Sequence, residues 1–132
     1  VKVTTSLLAD AAIIADGKLY VHGGGWDSIS GASLPLTYPS FALVLVMELD
    51  VTELTGAQLL ITLVDDVDTQ MLSVTGHLET DGVKKFPNRK SINMPLAVTF
   101  PGVIFTRAGN HAFKVVVDGG EIHSLNFTVI VP

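Results

Sequence analysis

Apolar residues recur at every second position along most of this chain, and no segment carries the i, i+3, i+4, i+7 spacing of a core helix. Val3, Thr5, Leu7 and Ala9 alternate with Thr4, Ser6 and Leu8, which predicts one long strand, or two joined by a bend, over Val3 to Ile14. Beyond Asp16-Gly17, Leu19 and Val21 fall on one face and Tyr20 and His22 on the other. Asp-Gly is the dipeptide best suited to a two-residue turn that needs positive φ, so these two runs read as a hairpin. Gly23-Gly24-Gly25 and the single tryptophan, Trp26, close its second strand.

Further strands follow by the same logic. Ala57 to Val64 puts Leu59, Ile61 and Leu63 inward, and Met71 to Glu79 is a weaker run in which Leu72, Val74 and Leu78 share a parity. Ile92, Met94, Leu96, Val98 and Phe100 alternate cleanly, with Pro95 marking an edge or bulge and Pro101-Gly102 expected to end the strand. Phe113, Val115 and Val117, a turn at Asp118-Gly119-Gly120-Glu121, then Leu125, Phe127, Val129 and Val131 form a second clear hairpin. Leu34 to Pro39 holds two prolines and is expected to be a crossing loop. The expected fold is an all-β, single-domain antiparallel β-sandwich of Ig-like, Greek-key type over residues 1–132, with about eight or nine strands.

One strand departs from simple alternation. Phe41 to Leu49 is apolar on both parities until Glu48, the mark of a strand covered on both faces. One face belongs to the core of a two-layer fold. The other, with Ala42, Val44 and Val46, is the expected subunit contact.

Composition strengthens that expectation. Charged residues make up 16% of the 132 positions and mean hydropathy is +0.49, little charge with which to cover a small domain. Self-association, in a closed oligomer or an extended assembly, is the expected partner relation. The net charge of −5 lacks the basic stripe of a nucleic-acid binder, no apolar run is long enough to span a membrane, and V-K-V-T-T-S does not read as an uncleaved signal peptide. Zero cysteines leave no disulfide or thiolate metal site and do not fix the compartment.

The residues that suggest chemistry do so weakly. Three consecutive glycines can cradle a phosphate, but only at the start of a helix, and Trp26-Asp27-Ser28-Ile29-Ser30-Gly31 has no helical period, so Gly23 to Gly25 is expected to be a bulge or a flat backbone patch over which Trp26 or a neighbouring strand packs. Asp65, Asp66 and Asp68 crowd one turn without the spread of ligands a calcium loop needs, and read as a solvated acidic turn. His22, His77, His111 and His123 stand on different strands and read as surface or edge residues rather than zinc ligands. No serine sits in a nucleophile turn, and Glu48, Asp50, Glu79 and Asp81 have no surroundings that mark an acid or base. No catalytic residue, cofactor or metal is therefore expected. Lys84, Lys85, Arg89 and Lys90 surround Phe86 in a basic loop where an anion or acidic partner surface would dock weakly.

L-L-A-D-A-A at Leu7 to Ala12, D-G-K-L-Y-V-H-G-G-G-W at Asp16 to Trp26 and G-N-H-A-F-K-V-V-V-D-G-G-E at Gly109 to Glu121 together resemble a bacterial family of unknown function, DUF6941. The resemblance implies an acidic turn at Leu63 to Asp68 and a G-x-Y-x-F start to the penultimate strand, where this chain has His111. It implies a fold and no activity.

Two functions are open at this point. The first is a non-catalytic structural or protein-interaction module that self-associates through an apolar sheet face or strand edge. The second is a small-ligand or glycan module that stacks its ligand on Trp26, Tyr20 and Tyr38 near the glycines.

Overall fold

A computed structural model describes residues 1–50, 56–78 and 88–132. The strands are β1 (Lys2–Ala15), β2 (Lys18–Trp26), β3 (Ser28–Ser30), β4 (Leu36–Asp50), β5 (Gln58–Val64), β6 (Gln70–His77), β7 (Ser91–Phe105), β8 (Gly109–Val117) and β9 (Gly120–Ile130). They form a four-stranded sheet in the order β2-β1-β4-β7 and a five-stranded sheet in the order β3-β9-β8-β5-β6. The pairings are antiparallel except β3 with β9, which run parallel, a departure from the all-antiparallel expectation.

The alternation read from the sequence places the core. Leu8, Phe41, Leu43, Leu45 and Met47 of the first sheet meet Leu59, Ile61, Leu63, Phe113, Val115, Phe127 and Val129 of the second in one buried cluster. Phe41 is its centre. Its ring lies 5.6 to 6.5 Å from those of Trp26, Tyr38, Phe100, Phe113 and Phe127, within the range of tilted and edge-on aromatic contact.

Both hairpin turns have the predicted chemistry. Asp16 and Gly17 take φ of 52° and 70°, and Asp118 and Gly119 take 48° and 83°. Positive φ at both central residues is the type I′ turn, whose twist matches that of the flanking strands. The glycine run is the expected bulge: Leu8 pairs with Trp26 and Ala9 with Gly24, which leaves Gly25, at φ 95°, as the extra residue.

The prolines are where the reading needs correction. Leu36 to Pro39 is not a loop but the start of β4, and β7 runs through Pro101 and Gly102 to Phe105. Pairing with β1 covers β4 only from Ala42 to Glu48, so at Pro39 the strand has β7 alone as a neighbour and needs no second set of hydrogen bonds. Pro101 is tolerated because β7 is the edge of its sheet. The expectations for Glu79, Asp81, Lys84, Lys85 and Phe86 fall outside the described residues.

Candidate interaction surface

The outer face of β4 is covered by the chain itself. Ala42 and Val44 are fully buried with Ala9 and Ala12, and Leu7, Leu19 and Ala97 pack over them. Leu19 belongs to β2 and Ala97 to β7, the two edges of the sheet, and those edge strands come into contact. The sheet therefore curls over its own outer face. This corrects the expected subunit contact: Ala42 and Val44 have no surface to offer, and Val46 is half-buried.

The apolar surface lies instead on the first hairpin. β1 pairs with β4 only as far as Ala9, while its pairing with β2 continues to Ala15 and Lys18. Ala11 to His22 thus forms a two-stranded ribbon that pairs with no third strand; its Ala12 and Leu19 side packs over Ala42 and Val44, and its Ile13 and Tyr20 side is open. Ile13 is 62% exposed, Tyr20 48%, Ile14 41% and Val21 38%. Ile13 sits directly opposite Tyr20, Ile14 opposite Leu19 and Ala12 opposite Val21, so the ribbon is apolar on both faces. A hairpin of this kind gains little from burial by itself. Large side chains held in water on a marginal element mark a contact surface.

The unpaired edge of this ribbon also differs from the edges at β7 and β3. β7 carries Pro95 and Pro101, and β3 has three residues. These are the usual means of discouraging strand addition. β2 has no proline and one lysine, at its start, and its bulge is confined to Gly23 to Gly25, beyond the stretch Lys18 to His22.

The aromatic side chains do not gather on one rim. Trp26 and Tyr38 pack together, ring centres 6.2 Å apart, and both are half-buried against Phe41. Tyr20 stands six residues away along β2, beside Ile13. Trp26 Nε1 is buried without a hydrogen-bond partner among the described residues. Clefts of about 260 Å³, lined by Val1, Lys2, Glu48, Asp50 and Ser91, and about 180 Å³, lined by Gln58, Leu60, Thr75, Val116 and Gly119, contain none of the three aromatics. Both are below the ~300 Å³ at which small-molecule sites usually begin.

The acidic turn is tied down by its neighbours. Asp65 Oδ1 accepts from the amides of Val67 and Thr69 at 3.0 and 2.9 Å, Arg107 donates to both oxygens of Asp66, and Lys114 Nζ lies 3.3 Å from Asp68. The Arg107 hydrogen bonds, more than its charge, hold the Asp66 carboxyl below its ordinary 3.8, and they raise Arg107 in turn. No group of three or more metal-ligating side chains occurs among the described residues. Arg89 and Lys90 of the basic loop are exposed.

His22 and His77 lie at the surface as expected, but two histidines do not. His111 is buried between Phe105 and Phe127, with Nδ1 2.9 Å from the Gly109 carbonyl oxygen and Nε2 unpartnered among the described residues. Half-buried His123 places Nε2 2.6 Å from Ser6 Oγ, joining β9 of one sheet to β1 of the other. The sequence held a signal for the first: His111 shares its parity with Phe113 and Val115. Ser6 and His123 share parity with Leu8 and Phe127, but nothing in the sequence pairs them with each other.

These features define a class: an all-β protein of two sheets around one core, with an apolar hairpin exposed at Ile13 and Tyr20. The chain belongs to DUF6941, a family of unknown function whose model matches residues 4–130. No curated protein matches it. Among solved structures it is similar to the Pseudomonas fluorescens alkylpurine DNA glycosylase AlkC bound to DNA containing an abasic site analog, at 10% identity and a TM-score of 0.43. The match covers 94% of this chain and 30% of that one, so the chain spans under a third of that enzyme's length. No helix among the described residues is long and apolar enough to cross a membrane.

Proposed function

We propose that this chain is a non-catalytic interaction module that self-associates through the apolar β1–β2 ribbon, and that its sheets form an Ig-like, Greek-key sandwich. The observation that carries the first part is the set of exposed Ile13, Ile14, Tyr20 and Val21 on a ribbon that pairs with no third strand. Burying such side chains yields about 25 cal/mol per Å² of apolar area, a gain the monomer leaves unused. The low charge content works in the same direction.

Strand order supports the second part. Without β2 and β3, the sheets read β1-β4-β7 and β9-β8-β5-β6. That is the order of the A, B and E strands in one sheet and G, F, C and C′ in the other of an immunoglobulin-type sandwich.

Size-exclusion chromatography with light scattering tests the association. The chain is expected to exceed its monomer mass of 14.0 kDa at micromolar concentration, and Ile13→Lys or Tyr20→Glu, both at exposed positions, is expected to return it to that mass with its fold intact. A monomer throughout the micromolar range overturns the proposal.

A further inference from the structure

We infer that two copies of the chain join by antiparallel pairing of β2 with β2, about a two-fold axis at Tyr20, so that two four-stranded sheets become one of eight. This rests on the self-association proposed above and assigns its partner and register. The turn decides which backbone groups are free. Ala15 and Lys18 flank Asp16-Gly17, and in a two-residue turn the flanking residues exchange the closing hydrogen bonds. Antiparallel pairing then alternates, so the backbone groups of Lys18, Tyr20 and His22 point to β1, and those of Leu19 and Val21 point to the free edge.

A two-fold axis perpendicular to the sheet preserves the two faces, so it sets one residue opposite its own copy. Centring on Tyr20 uses the whole regular stretch between the turn at Gly17 and the kink at Gly23, where φ is 60°. In that register Leu19 pairs with the partner's Val21, and Val21 with the partner's Leu19, through the outward-pointing groups: four new backbone hydrogen bonds. Tyr20 meets the partner's Tyr20 in a non-hydrogen-bonded pair, the kind that brings side chains closest.

The side chains fit the same register. One face gains the row Ile13, Tyr20, the partner's Tyr20, the partner's Ile13, which covers the two most exposed apolar side chains of the ribbon. The other face gains Ile14, Leu19, the partner's Val21, the partner's Ala12, which continues the apolar layer that Leu19 already forms over Ala42 and Val44. Self-complementarity of this kind is what a two-fold contact requires.

Cysteine cross-linking reads the register directly, because the native chain contains no cysteine. Under mild oxidation, Tyr20→Cys is expected to form a covalent dimer on a non-reducing gel. Leu19→Cys and Val21→Cys, each alone, are expected to stay monomeric on the gel, since offset positions exceed the ~7 Å Cα separation a disulfide spans. An equal mixture of the last two is expected to cross-link, and it keeps Tyr20 in place should that substitution itself weaken the dimer. A light-scattering dimer in which neither Tyr20→Cys nor the mixture cross-links overturns this register and leaves the self-association standing. A monomer by light scattering overturns both.

Discussion

Replacing Phe41 by alanine tests whether the aromatic cluster holds the two sheets together. The side chain is fully buried and touches five other rings, from Trp26 and Tyr38 beside it in the first sheet to Phe113 and Phe127 in the second. Truncating a buried phenylalanine costs about 3–5 kcal/mol, and the loss of ring–ring attraction, ~0.5–1.5 kcal/mol per pair beyond area, places Phe41→Ala at the upper end of that range. A chain of 132 residues has a total stability of about 7–20 kcal/mol at ~0.05–0.15 kcal/mol per residue. The substitution therefore removes a quarter or more of it. Thermal unfolding by circular dichroism should show a melting point lower by about 15–25 °C, taking ~3–5 °C per kcal/mol for this length. Val67→Ala, at an exposed turn position, should stay within about 0.5 kcal/mol of the parent. If Phe41→Ala fails to fold, Phe41→Leu, which retains part of the packing, should fall between the parent and a fully truncated core. A loss below about 1.5 kcal/mol for Phe41→Ala would show that the core is organised elsewhere.

Two further outcomes follow from the turns and the ion pair. Gly17→Ala and Gly119→Ala should each cost about 1–2 kcal/mol in denaturant unfolding, because positive φ strains any residue with a Cβ. No atom lies within 4 Å of either new methyl group, so the cost is one of backbone alone, and a neutral result would contradict the type I′ assignment. Asp66 has its pKa depressed by Arg107, so its contribution to stability is present above the ordinary value of 3.8 and is lost as pH falls through the lowered one. Asp66→Asn should accordingly be less stable than the parent at neutral pH, and the gap should close in strongly acid solution. Melting curves from pH 7 downward measure it, and a gap that widens in acid would refute the assignment.

Much of the fold was legible because a strand's period of two reports burial directly. Leu59, Ile61, Leu63, Phe113, Val115, Phe127 and Val129 are inward as their spacing implies, and both Asp-Gly turns stand where the composition put them. The limits are equally physical. Apolar residues on both parities of β4 show that each face is covered, but not by what. The cover proved to be Leu7, Leu19 and Ala97 of the same sheet, which reach small side chains at Ala9, Ala12 and Ala42 once the sheet curls. Leu19 and Val21 share a face in the sequence pattern, but whether β4 follows β1 out to the hairpin's end depends on where two strands part, and that leaves no local signal. The Arg107–Asp66 pair joins residues 41 apart and the Ser6–His123 pair residues 117 apart, separations at which charge and parity are silent about partners.

Self-association turns on the free edge of β2, and amide hydrogen exchange at Leu19 and Val21 examines it most directly. In a monomer these two amides have no strand partner and exchange quickly, while Tyr20, bonded to β1, is slower. In the proposed dimer, Leu19 and Val21 become protected at micromolar concentration and lose that protection on dilution or in Ile13→Lys. Fast exchange at Leu19 and Val21 at all concentrations would contradict pairing at this edge.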